Sequence, residues 1–94
     1  MNNETVVRTI IAVLQRLRED IEYTEQVIEP TTCPAKDLGW FDSLMWPVST
    51  TMLEEELGLE IPDHLNLFKA DDGSPLSVEQ AATKLLTYHN EKGA

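Results

Sequence analysis

The chain is expected to fold as an all-α protein, a small four-helix bundle of three main helices plus one short helix. Three observations predict this. Apolar residues recur at helical spacing in three segments, no segment alternates with period two over a useful length, and a helix-start signature opens the last segment. Ninety-four residues make a single domain, 1–94, with no room for a second core. A hydrophobic content of 41% separates the chain from disordered sequences, despite a formal net charge of -10.

The elements follow in order. From Glu4 to about Ile21, the residues Val7, Ile10, Ile11, Leu14, Leu17 and Ile21 share one helical face, and Arg8, Gln15, Arg18 and Glu19 fall off it. Between Glu22 and Phe41 the periodicity fails, and Pro30, Pro34 and Gly39 punctuate a long loop. Val27, Ile28, Leu38, Trp40 and Phe41 are expected to pin that loop to the core. A second helix is expected from Ser43 or Leu44 to Leu57, stopped by Gly58, with Leu44, Val48, Met52, Leu53 and Leu57 on its inner side. Pro47 fits only in the first turn, and Ser49-Thr50-Thr51 are poor helix formers, so a regular helix beginning nearer Trp46 is the alternative. The stretch His64-Leu65-Asn66-Leu67-Phe68 reads as the short helix, and Asp71 to Pro75 as a loop. Ser77-Val78-Glu79-Gln80 is a capping-box pattern opening the last helix, whose stripe is Val78, Ala81, Ala82, Leu85, Leu86 and His89.

Charge and cysteine content exclude several classes. From Asp37 to Phe68 there is no lysine or arginine, while Asp37, Asp42, Glu54, Glu55, Glu56, Glu60 and Asp63 are all acidic. Such a surface repels phosphate backbones and attracts basic patches on other proteins, so no nucleic-acid partner is expected. Solubility alone accounts for it equally well. Cys33 is the single cysteine, which rules out an internal disulfide framework and any CxxC-type metal site. The start, Met1-Asn2-Asn3-Glu4, lacks a basic region before its apolar stretch, and Arg8 and Thr9 break that stretch. No signal peptide and no membrane span are expected, which fits a cytoplasmic monomer.

No catalytic constellation assembles from these residues. His64 and His89 have no second ligand at metal spacing. Glu54-Glu55-Glu56 point in different directions on a helix, which favours a solvated face over paired carboxylates. Gly73 and Glu79 have EF-hand spacing, but Phe68 and Ala70 occupy the positions that should supply the first oxygens. Nothing beside Cys33 would lower its pKa, so it reads as a small apolar loop residue. Ser43 remains. A hydroxyl at a helix start without a nearby base is poorly equipped to attack and well placed to be modified, because helix N-termini favour a phosphate group. An ordinary N-cap serine is the simpler alternative, and Asp42-Ser43-Leu44 by itself has little specificity.

The longer window is more specific. Asp37-Leu38-Gly39, Asp42-Ser43-Leu44, Leu53-Glu54-Glu55-Glu56-Leu57 and Ile61-Pro62-Asp63 together resemble the acyl carrier proteins, and the likeness reaches more weakly through Ser77 to Ala82. It covers about two thirds of the chain, and the first helix agrees in type only. The resemblance implies a four-helix carrier in which Ser43, flanked by Asp42 and Leu44, receives a covalent 4'-phosphopantetheine arm from coenzyme A. A phosphopantetheinyl transferase would attach it, and the arm's thiol would carry acyl or aminoacyl cargo as a thioester to acyl-loading and acyl-processing enzymes with basic patches. Fatty-acid, polyketide or other specialised biosynthesis would be the setting. The helix after the serine is then the main docking surface, and Glu54, Glu55, Glu56 and, just beyond it, Glu60 are candidate contacts.

Three departures qualify what is carried over. Two residues, Trp40 and Phe41, separate the glycine from the aspartate where the fatty-acid type has one, a spacing more similar to D-alanyl and specialised carriers. Met45, Trp46, Pro47 and Val48 replace the usual acidic residues after the serine, and Asp71 to Pro75 lengthens the last connection. Met45, Trp46 and Val48 are either exposed anchors for a partner or core residues of a shifted helix. A dedicated carrier for a specialised pathway is expected. The competing reading is an unmodified helical interaction domain that keeps the carrier fold.

Overall fold

The first apolar segment forms α1, Asn3–Ile21, in a computed structural model that describes residues 2–21, 27–38, 41, 44–62 and 65–93. Asn2 opens α1 by accepting the Thr5 N–H on its side-chain oxygen at 2.8 Å, which satisfies one orphan donor of the first turn. The buried face consists of Val6, Ile10, Val13, Leu14 and Leu17, while Val7 and Ile11 are partly covered. The expected stripe is therefore rotated slightly toward Val6 and Val13. Both α3 (Met45–Leu57) and α4 (Val78–Gly93) pack against α1, so its buried face is centred between two neighbours. The side chain of Ile21 lies outside the described residues.

The short helix is displaced from where the sequence places it. Residues 65–68 are irregular, with Leu65 N–H donating to the Pro62 carbonyl at 3.0 Å as a turn, and His64 lies outside the described residues. A four-residue helix α2, Pro34–Asp37, forms instead within the segment expected to be loop. The reason is local. Pro34 sits at the first helical position, where its missing N–H costs nothing, and Asp37 reaches back to accept the Cys33 N–H at 2.8 Å. Of the expected loop pins, Ile28, Leu38 and Phe41 are buried, and Phe41 meets Phe68 edge to face with centroids 4.8 Å apart. Val27 is 70% exposed and does not pin the loop, and Trp40 lies outside the described residues.

α4 begins as the capping box requires. Ser77 N–H donates to Gln80 Oε1 at 2.8 Å and Gln80 N–H to Ser77 Oγ at 3.1 Å. The two N–H groups between them, of Val78 and Glu79, donate to the carbonyls of Thr32 and Pro30, each at 2.9 Å. All four opening donors of α4 are thus satisfied, two of them by the loop before α2. Val78, Ala81, Ala82 and Leu85 are buried and Leu86 is partly so, but His89 is exposed and leaves the expected stripe.

A second tie runs from α4 to the irregular segment. The Lys84 ammonium donates to the Asn66 carbonyl and, at 2.8 Å, to that of Lys69. The following turn closes with Gly73 at φ 87° and Asp72 accepting the Ser74 N–H at 2.9 Å; hydrogen bonds from the Ser74 hydroxyl and then from its N–H hold the Asp72 carboxyl below its ordinary pKa. No strand is present among the described residues; Lys69 and Pro75 form one isolated antiparallel bridge. Among the described residues no helix is long and apolar enough to cross a membrane.

The reciprocal cap at Ser77 predicts that Ser77→Ala destabilises the fold by about 1 kcal/mol. A thermal melt should fall by roughly 4–8 °C, the shift expected of that loss in a domain of this size. A melt within about 1 °C of the parent would show that the Thr32 and Pro30 carbonyls hold the helix start unaided.

Candidate functional site

The site is built around the start of α3. Ser43 and Asp42 lie outside the described residues, as do Gly39, Trp40 and Asp63. The residue after the serine, Leu44, occupies the N-cap position with no side-chain cap, and the first turn carries no acidic residue. Pro47 stands third in the helix, where a backbone N–H would have no intrahelical acceptor, so the proline is tolerated there as expected. Gly58, at φ 67°, ends α3 in the left-handed conformation, with its N–H on the Glu54 carbonyl at 2.9 Å.

The faces of α3 differ from the expected ones. Leu53 and Ser49 are fully buried, and Met45, Trp46, Met52 and Leu57 pack partly against the core. Leu44 is 78% exposed and Val48 43% exposed, so neither belongs to the inner side, and Leu44 does not turn inward. Helical geometry explains this. At about 100° per residue, Leu44 lies roughly 180° and Val48 roughly 140° around the axis from Leu53. With apolar residues on nearly every side of its first half, α3 offered no pattern to locate that axis. Leu44, Pro47, Val48, Thr51 and Glu55 instead form one exposed stripe at three- and four-residue spacing, apolar at the serine end and acidic further along.

The Ser49-Thr50-Thr51 run is accommodated by its hydroxyls. Ser49 Oγ and Thr50 Oγ1 both donate to the Trp46 carbonyl, at 2.8 and 2.9 Å, and Thr51 Oγ1 donates to that of Pro47 at 3.0 Å. A serine can thereby occupy a fully buried position without an unpaired hydroxyl. The sequence reading missed Ser49 as a core residue because it counted only apolar types.

The four candidate docking carboxylates occupy three kinds of environment. Glu55 and Glu60 are exposed. Glu56 is exposed and pairs with Arg16 of α1 at 3.2 Å. Glu54 is half-buried, and its Oε2 accepts the Ile61 N–H at 3.3 Å, which ties the chain after α3 back to the helix. Asp37 and Leu38 also have structural work, the first closing α2 and the second buried in the core.

A groove of about 340 Å³ opens between α3 and the chain after it, lined chiefly by Trp46, Pro47, Thr50, Glu54, Leu65 and Phe68. The indole Nε1 of Trp46 is shut off from solvent and has no hydrogen-bond partner among the described residues. The Lys69 ammonium stands 5.2 Å from the Trp46 ring centroid, within reach of a cation–π attraction. Cys33 is half-buried, with its Sγ 4.0 Å from the Thr31 carbonyl. Among the described residues no three histidine, cysteine or acidic side chains gather as a metal-binding group.

Comparison with family models, with curated proteins and with solved structures finds no match to this chain. The functional reading therefore rests on the sequence window and on the geometry around α3.

The Glu54–Ile61 contact predicts a difference between neighbours. Glu54→Ala should cost about 1 kcal/mol by leaving the Ile61 N–H without that acceptor, and Glu55→Ala should stay within about 0.5 kcal/mol of the parent. Urea denaturation of the two variants checks this, and equal midpoints would show that the 3.3 Å bond contributes nothing.

Proposed function

We propose that the chain is a carrier protein similar to the acyl carrier proteins, with Ser43 as the attachment point of a 4'-phosphopantetheine arm. The window from Asp37 to Asp63 carries the reading. Two features of α3 are compatible with it. The side chain after Ser43 is exposed, so the helix start lies at the surface. Ser43 directly precedes the N-cap residue Leu44, so a phosphodiester on it would sit at the positive end of the helix. The bound arm would supply a thiol for thioester chemistry, and the chain itself would orient that arm and present a face to partner enzymes.

That face is the exposed stripe of α3. Leu44, Pro47 and Val48 offer apolar contact beside the attachment point, and Glu55 and Glu60 offer charge to a basic patch further along. Met45 and Trp46 support the stripe from the core side. The mixed surface agrees with a dedicated carrier, a cytoplasmic monomer serving few enzymes in fatty-acid, polyketide or related biosynthesis. A phosphopantetheinyl transferase is its first partner.

One observation favours a second reading. Asp37, Leu38, Leu53 and Ile61 are accounted for by folding alone, since they close α2 or fill the core. An unmodified helical interaction domain would need those residues equally. Incubating the purified chain with coenzyme A and a broad-specificity transferase separates the two. The carrier reading expects the intact mass to rise by one phosphopantetheinyl group in the parent and not in Ser43→Ala. A parent that gains no mass would favour the unmodified domain, and a gain that survives the substitution would remove Ser43 as the attachment point.

Docking is tested by reversing charge. Glu55→Lys with Glu60→Lys should slow transfer on the order of 10-fold at low salt, with the gap closing at high salt as screening removes the attraction. Equal rates at every ionic strength would remove these carboxylates from the interface.

A further inference from the structure

We infer that a notch between α1 and α3 binds a small phosphomonoester dianion, held by Arg8 and Arg16 in place of the Glu56 carboxylate. Arg8, Ala12 and Arg16 follow one another at four-residue spacing, so they share one face of α1 over two turns. The smallest of the three stands in the middle and leaves a gap between two side chains that end in guanidinium groups. Thr9 and Val13 also line that gap, and Glu56 of α3 borders it. The notch measures about 200 Å³, below the range of drug-sized sites and enough for one compact polar group.

The charges decide the class of ligand. Arg16 Nη1 donates to Glu56 Oε1 at 3.2 Å, and Arg8 Nη2 donates to Glu4 Oε1 one turn back along α1. Each contact joins one nitrogen to one oxygen, which leaves the other donors of each fork to a ligand. The Arg8 and Arg16 side chains are 77% and 61% exposed, so both pairs are screened by water and yield readily. A further carboxylate would only repeat what Glu4 and Glu56 already supply. A phosphomonoester brings two charges and three terminal oxygens, which can accept from both forks together. The rest of the chain offers such a group less. No lysine or arginine lies on α3, the Lys84 ammonium is held by the Asn66 and Lys69 carbonyls, and the Lys69 ammonium stands over the Trp46 ring. The net charge of -10 opposes approach to an anionic membrane, so the ester is a soluble one and not a lipid headgroup. This site goes beyond the carrier reading and needs no group at Ser43.

The experiment uses the full-length chain without any attached group. Phenyl phosphate and its singly charged isostere phenyl sulfate are titrated separately at constant ionic strength and about pH 8, where the phosphate is a dianion. The Thr9, Ala12 and Val13 amides and the Arg8 and Arg16 Nε–H resonances are followed by NMR. The phosphate is expected to give saturable shifts at these groups and to bind roughly 3- to 10-fold more tightly than the sulfate. Arg8→Gln and Arg16→Gln should each weaken phosphate binding about 3-fold or more. Glu56→Gln removes the competing carboxylate and should strengthen binding roughly 2- to 5-fold. Glu55→Gln changes the net charge equally but does not line the notch, and should leave the affinity unchanged. Equal affinities for phosphate and sulfate, binding that survives Arg16→Gln, or equal effects of the two glutamate substitutions would each overturn the assignment. Co-sedimentation with vesicles containing phosphatidic acid, lost in Arg16→Gln, would overturn the soluble source. The comparison of phosphate with sulfate needs no variant, so it decides the matter even if a substitution disturbs the fold. Its outcome is independent of the mass gain at Ser43.

Discussion

The opening N–H groups of α4 have no acceptor inside their own helix, and the place where they find one organises the rest of the chain. Two of them are met by the carbonyls of Thr32 and Pro30, far upstream. That contact holds the loop in which Thr32 is itself buried, with its Oγ1 accepting the Glu29 N–H at 2.9 Å. Cys33 and Asp37 close α2, Leu38 and Phe41 are buried, and Leu44 emerges at the start of α3. A surface site at that helix start is therefore positioned by backbone bonds to the last helix and by three buried apolar side chains (Ile28, Leu38 and Phe41).

Around this frame α1 serves as the common wall. Both α3 and α4 pack on it, and its buried residues meet Leu53 from one and Val78, Ala81, Ala82 and Leu85 from the other within one core cluster. The segment between α3 and α4 contributes no helix among its described residues, yet Leu67 and Phe68 are fully buried. Lys84 holds it from the α4 side and Glu54 from the α3 side. The groove beside Trp46 is what remains between two tethered elements that do not close on one another.

Much of this was legible in the residues. Helical spacing marked α1 and α4, the Ser77/Gln80 pair marked a helix start whose bonds form as the pattern demands, and Gly58 marked the end of α3. What escaped was set by long-range partners or by crowded local chemistry. The acceptors of Lys84 lie 15 and 18 positions away, and no local pattern points to them. α2 depends on a proline and an aspartate bracketing two residues, too short for any periodicity to register. The inner face of α3 was misplaced because Leu44 and Val48 are as apolar as the residues that do face inward, and because buried Ser49 is polar by type. At the helix start, Met45, Trp46 and Val48 could be read as exposed anchors or as core residues of a shifted helix; Met45 and Trp46 pack partly against the core, while Val48 is exposed together with Leu44 and Pro47.

The division of α3 into a core-facing side and a mixed outer stripe agrees with a helix that presents a modified residue and a docking face together. Its central claim concerns one hydroxyl. The most direct measurement is the mass of the proteolytic peptide containing Ser43, taken from the chain as it accumulates in its own cells. The account predicts that this peptide carries a phosphodiester-linked group ending in a thiol or thioester. A Ser43 peptide recovered entirely unmodified, from cells in which the chain is abundant, would contradict it.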